Sequence, residues 1–340
     1  MRKYVITTKL TTLLLLITFT TSAQTVLDKV DKTFDNITSV EVEGSFCNVD
    51  ISGEKRFDTN LTGEIISSKD YDIKIKYEQD GATLKVWLER PKSIRGSIKG
   101  NLTLKVPANT NINVKNSSGS ISVENVGQSE INLTASSGSI SVRNIDTKIT
   151  LSASSGSLNI QDVSGDVHAT ASSGSIFISG VKGDLYSVTS SGSQKIEGVK
   201  GNIKVTSASG SQSLSMIKGD VNVRVSSGSI KAVKVTGDIT AVTSSGGIKL
   251  DSTIGKLNLV SSSGSQKGTG IKLTGASSFK AVSGGVSMEL LNGSDELSFE
   301  LYASSGGLYA KGAKGKNKLI VEKGAVKVYG KTSSGSQSYK

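Results

Sequence analysis

A Ser-Ser-Gly string returns along this chain at a fixed interval, and that interval limits the fold more than any other feature. Its glycines are Gly119, Gly138, Gly156, Gly174, Gly192, Gly210, Gly228, Gly246 and Gly264; the copy at Gly210 reads Ala-Ser-Gly. The first spacing is 19 residues and the next seven are 18. Looser copies follow at Gly284, Gly306 and Gly335. A second glycine lies nine positions on, at Gly165, Gly183, Gly201, Gly219 and Gly237, followed by Asp166, Asp184, Asn202, Asp220 and Asp238. A fixed period of this length marks a repeat architecture in which each unit buries its apolar face only against its neighbours.

Between the glycines the apolar residues alternate. After Gly174, Ile176 and Ile178 alternate with Ser175, Phe177 and Ser179; after Gly210, the alternate positions are Gln212 and Leu214. Period-two alternation in short β-branched runs predicts strands. A glycine corner every nine residues would break helices, and glycine suits a corner because it accepts positive φ. Identical coils stack best in register, each strand parallel to its copy one coil away, at about 4.8 Å per layer. The expected fold is therefore all-β: a parallel β-solenoid (β-helix) with 18-residue coils, capped by an N-terminal β segment. Proline cannot donate to such a ladder, and the two prolines, Pro91 and Pro107, precede the regular repeats.

Four segments follow. Residues 1–23 read as a signal peptide: Arg2, Lys3 and Lys9, a short apolar run from Leu10 to Phe19, then Thr21-Ser22-Ala23 before Gln24. The run is too short to span a bilayer. Residues 24–115 lack the period, contain Trp87, and read as the N-terminal β cap, with strands at Val40–Val42, Ile73–Tyr77, Thr83–Leu88 and Leu102–Val106. Residues 116–269 are the regular solenoid. Residues 270–340 are irregular coils and a cap, with Lys311 to Lys318 guarding an edge.

The net charge of +11 falls to +8 once Arg2, Lys3 and Lys9 are removed, and the charges are scattered, as on a solvated surface. Cys47 is the only cysteine, so no intrachain disulfide can form.

Leu102-Thr-Leu-Lys-Val-Pro107 and Ile112-Asn-Val-Lys-Asn-Ser-Ser-Gly-Ser-Ile-Ser-Val123 resemble the bacterial putative-adhesin family of Ser-Gly β-strand repeats. That family is a domain of unknown function related to the head GIN domain adhesins. The resemblance covers roughly residues 35–330, and the signal ending Thr-Ser-Ala-Gln is similar to those of Bacteroidota exports. It implies an envelope or surface β-solenoid of adhesive role, in the periplasm, at the cell surface or outside the cell. It brings no catalytic residues.

The residues themselves point the same way. A polysaccharide-cleaving solenoid needs clustered carboxylates in one groove. The acidic column Asp166, Asp184, Asp220, Asp238 is interrupted by Asn202, accompanied by Lys182, Lys200 and Lys218, and reads as turn-forming. His168 is the single histidine and lies outward, with no marked nucleophile beside it, and the chain is too poor in His and Cys for a zinc site. Lys195, Lys231 and Lys249 share an outward column without aromatic partners, unlike a nucleic-acid groove. Within the regular repeats Phe177 and Tyr186 are the only aromatics, both outward, and form the one candidate ligand patch. The expectation is a non-enzymatic structural or adhesive protein with no cofactor and no metal, whose partner is a surface polysaccharide or another envelope protein. The alternatives are a carbohydrate-active β-helix enzyme and an accessory module of an envelope-stress system.

Overall fold

The computed structural model describes residues 24–127 and 130–340, and all its regular secondary structure is β. The segment read as a signal peptide lies outside the described residues. The strands form two long sheets of 17 and 16 strands, mostly parallel. Each regular coil gives one strand to each sheet, as Ile176–Val181 and then Leu185–Ser191 do.

Register follows the period. In the 17-stranded sheet Leu158 pairs with Ile176 and Ile176 with Gln194. In the 16-stranded sheet Ile149 pairs with Val167 and Val167 with Leu185. The 19-residue first interval is absorbed where Ile112 pairs with Ile131 and Ile121 with Ile140. Inward Ile, Val and Leu columns from both sheets meet in one core.

The corner glycines are needed for a different reason from the one expected. At Gly156 the backbone is not left-handed. A Cβ there would instead collide with the carbonyl of Gly138 one coil below, and the same contact recurs between Gly174 and Gly156. Close stacking of backbones, more than positive φ, excludes a side chain. The corners at Gly210, Gly246, Gly306 and Gly335 do enter the left-handed region, with φ 123° at Gly210 and 146° at Gly246.

The ends of the stack do not follow chain order. Within the segment expected as a cap, Ser39–Glu43 lies between Thr83–Glu89 and Asn111–Asn116, parallel to both. Its continuation Cys47–Glu54 lies between Ile98–Pro107 and Ile121–Glu124. At the far end Val326–Ser334 enters between Ser277–Ser283 and Leu297–Ser305, and Gln337–Tyr339 between Val286–Leu290 and Leu308–Ala310. Coils 39–54 and 326–339 are thus each seated one layer inside the stack.

The outermost layers are antiparallel. Asp58–Ser67 covers Ile98–Pro107, Thr25–Asp35 covers Asp58–Ser67, and Lys74–Asp80 covers Thr83–Glu89. At the other end Lys318–Val321 and Ala313–Gly315 run antiparallel to Leu297–Ser305 and Leu308–Ala310. Lysine-bearing outer strands discourage pairing with another chain.

Candidate functional site

The outward columns are where a ligand can be met, and they are set by register. On the 16-stranded sheet Thr150, His168, Tyr186, Lys204, Asn222, Thr240 and Asn258 stand side by side. On the other sheet the column runs Phe177, Lys195, Ser213, Lys231, Lys249, Lys267. Phe177 and Tyr186 therefore point away from each other from opposite sheets and do not make one patch. The half-coil between them carries the chain across the corner at Gly183, so alternation alone could not show which face each one takes. Phe177 also accompanies the lysine column, with Lys195 Nζ 5.3 Å from its ring centroid.

Tyr186 has company on its own sheet. Its ring lies 4.6 Å from that of His168 with planes 34° apart, and Lys204 Nζ is 5.3 Å from its centroid. These residues line a shallow groove of about 590 Å³ whose other wall is the acidic corner column. That column is a backbone ladder. The amide of Asp184 donates to Asp166 Oδ1 (2.8 Å), Asn202 to Asp184 Oδ1 (2.8 Å), Asp220 to Asn202 Oδ1 (3.0 Å) and Asp238 to Asp220 Oδ1 (2.9 Å). One oxygen of each side chain caps the next coil, a task Asn performs as well as Asp, which explains the interruption at Asn202. Among the described residues no group of three or more His, Cys, Asp or Glu side chains is placed to hold a metal ion.

A larger groove, about 890 Å³, opens at the far end of the same sheet and is lined by Tyr302, Tyr329, Glu300, Lys318, Ile320 and Lys327 among others. The rings of Tyr302 and Tyr329 lie 6.2 Å apart with planes 48° apart. Lys318 Nζ sits 5.7 Å from the Tyr302 centroid and Lys280 Nζ 5.8 Å from that of Tyr329. The Tyr302 hydroxyl donates to Glu300 Oε1 at 2.8 Å, and that bond together with partial burial raises the phenol above its ordinary value. The sequence gives no direct sign of this cluster. Tyr302 and Tyr329 are 27 positions apart, off the 18-residue ladder, and only the insertion of coil 326–339 sets Tyr329 opposite Glu300 and Lys331 opposite Tyr302.

The family described as Toastrack DUF4097 matches residues 37–241. Among solved structures, a putative adhesin of Parabacteroides merdae is similar at 14% identity, covering 79% of this chain and 97% of that one, with a TM-score of 0.37. A putative adhesin of Parabacteroides distasonis is similar at 13% identity, covering 77% and 97%, with a TM-score of 0.35. A putative cell adhesion protein of Clostridium sporogenes is similar at 12% identity, covering 92% and 99%, with a TM-score of 0.25. These likenesses are distant. No curated protein matches the chain. Among the described residues no helix is long and apolar enough to cross a membrane.

Proposed function

Since the chain belongs to the Toastrack DUF4097 family, we propose that it is an exported, non-enzymatic β-solenoid of the cell envelope or surface, acting as a structural and adhesive rod. The observation that carries this reading is the set of outward columns. Outward positions recur in register from coil to coil, about 4.8 Å apart, so a long partner lying along the rod touches several layers at once. Individually weak contacts then add up to useful avidity. The basic n-region, short apolar run and small residues ending at Ala23 support export.

Expression with residues 1–23 intact, followed by N-terminal sequencing of the fractionated product, tests the placement. The expected result is a mature chain beginning at Gln24, outside the cytoplasm and able to hold cells or envelope material on a coated surface. An uncut chain retained in the cytoplasm, or turnover of a polysaccharide by the purified protein, would overturn the proposal.

A further inference from the structure

We infer that the groove around Tyr302 and Tyr329 is a binding site for an acidic polysaccharide, a chain of uronic acid residues. This rests on the envelope reading above and gives it a ligand. Three features of the groove converge on that chemistry.

The first is a pair of aromatic platforms. Tyr302 and Tyr329 are half-buried, on neighbouring strands, with ring centroids 6.2 Å apart and planes 48° apart. That separation is on the scale of one pyranose ring, and the angle suits a polymer that turns from one residue to the next. Two rings held by a rigid sheet offer large apolar contact at little entropic cost.

The second is uncompensated positive charge. Lys280 and Lys318 are exposed, each lies over one of the two rings, and neither takes part in an ion pair among the described residues. Lys327 lines the same groove, and Lys331 stands between Lys280 and Tyr302 in the cross-strand column. A lysine that rests on a ring can swing to a carboxylate without breaking a salt bridge.

The third separates a sugar acid from other polyanions. Glu300 and Glu322 also line the groove. Their oxygens can accept hydrogen bonds only from donors. The free hydroxyls of a uronic acid supply those donors, whereas a phosphodiester backbone has no hydroxyl to offer them. Cations beside carboxylates on an aromatic floor match a carboxylated polyol.

The test uses the full mature chain, residues 24–340, with polygalacturonate as probe, methyl-esterified polygalacturonate as its neutral counterpart and single-stranded oligothymidylate as the competing polyanion. Binding is read by titration calorimetry at two salt concentrations. The proposal expects salt-sensitive binding of the free acid, weakened about tenfold or more by Tyr302→Ala with Tyr329→Ala and by Lys280→Gln with Lys318→Gln, as loss of a stacked ring or charge pair implies. The lysine variants touch only exposed side chains and keep the fold even if the tyrosine pair does not. Phe57→Ala, a fully exposed ring in the N-terminal segment and outside both grooves, should bind as wild type. Unchanged binding in the lysine variant, loss in Phe57→Ala instead, or preference for the oligonucleotide would each overturn the site. A surface-exposed protein that holds cells yet ignores polygalacturonate would sink this inference and leave the adhesive reading standing; retention in the cytoplasm would sink the reading itself.

Discussion

Once in each regular coil of the 17-stranded sheet, from residue 121 to residue 273, the backbone turns left-handed. Asn125, Asn144, Asp162, Gly180, Gly198, Met216, Lys234, Ser252 and Gly270 share this conformation, from 52° at Ser252 to 70° at Gly180. Register skips the position, as Arg143 pairs with Gln161 and then Ile145 with Val163. Gly, Asn and Asp suit it; Met216 and Lys234 do not. Lys234→Gly should therefore raise stability by about 1 kcal/mol, and Lys231→Gly in the extended part of the same strand should lower it by a similar amount. Urea midpoints of the two variants decide the matter. The column was legible, since Asn, Asp or Gly recurs 18 residues apart from Asn144 to Gly198, but the more prominent Ser-Ser-Gly corners masked it. A second residue-scale rule lies in the core. Gln194, Gln266 and Gln337 are buried in a core column that other coils fill with Ile, Val or Leu, and their amides donate to Thr189, Ser261 and Thr332, each five residues earlier. Ile140 and Ile176 have Ala135 and Ala171 at that position instead. A double-mutant cycle of Thr189→Ala and Gln194→Ile should show coupling of about 1 kcal/mol, because either change alone leaves a buried polar group short of a partner.

At the scale of the element, strands and their inward faces followed from alternation, while neighbour relations beyond residue 270 did not. Alternation is local, whereas the choice of neighbour depends on which coils fit together in three dimensions. Large side chains decide it at the far end. Phe279 and Phe299 each pack with ring centroids 5.5 Å from that of Tyr339, and Gly330 leaves room for Gln337 and Tyr339. The turn leading into coil 297–310 is held by charge. Glu296 accepts from Lys272 Nζ (2.7 Å), Asn292 Nδ2 (2.9 Å) and the Gly293 amide (3.1 Å), while Asn292 bonds both backbone groups of Leu273. Those bonds, the one from Lys272 first, hold the Glu296 carboxyl down at about 2, against an ordinary value of 4.5. Its contribution is complete above pH 4.5 and fades as pH falls toward 2. The urea midpoint of the wild type should accordingly drop across that window, and Glu296→Gln should flatten this part of the drop.

For the molecule as a whole, the period is the unit of tolerance. Deleting residues 193–210 removes one complete coil, joins Gly192 to Ser211 and places Gln212 five residues after Thr189, as Gln194 was. Such a chain should fold and be shorter by about 4.8 Å, one strand spacing, in small-angle scattering. Deleting 17 residues, 194–210, would shift the alternation by one at the junction and turn core residues outward; that variant should lose its β circular-dichroism signal or aggregate. The buried thiol of Cys47, pushed up to about 12 by desolvation, offers an internal gauge for such variants, because it should resist alkylation at pH 8 until the N-terminal coils open.

The interleaving at residues 277–339 also fixes an order of events. Coil 297–310 cannot settle when it is made, because its seat against 277–290 belongs to a segment that arrives later. Until then the growing rod ends in an open edge, and any other copy offering its own 326–339 strand fits that slot equally well. Refolding at high concentration should thus yield pairs of molecules that have exchanged this latch, while slow refolding at high dilution should yield single rods.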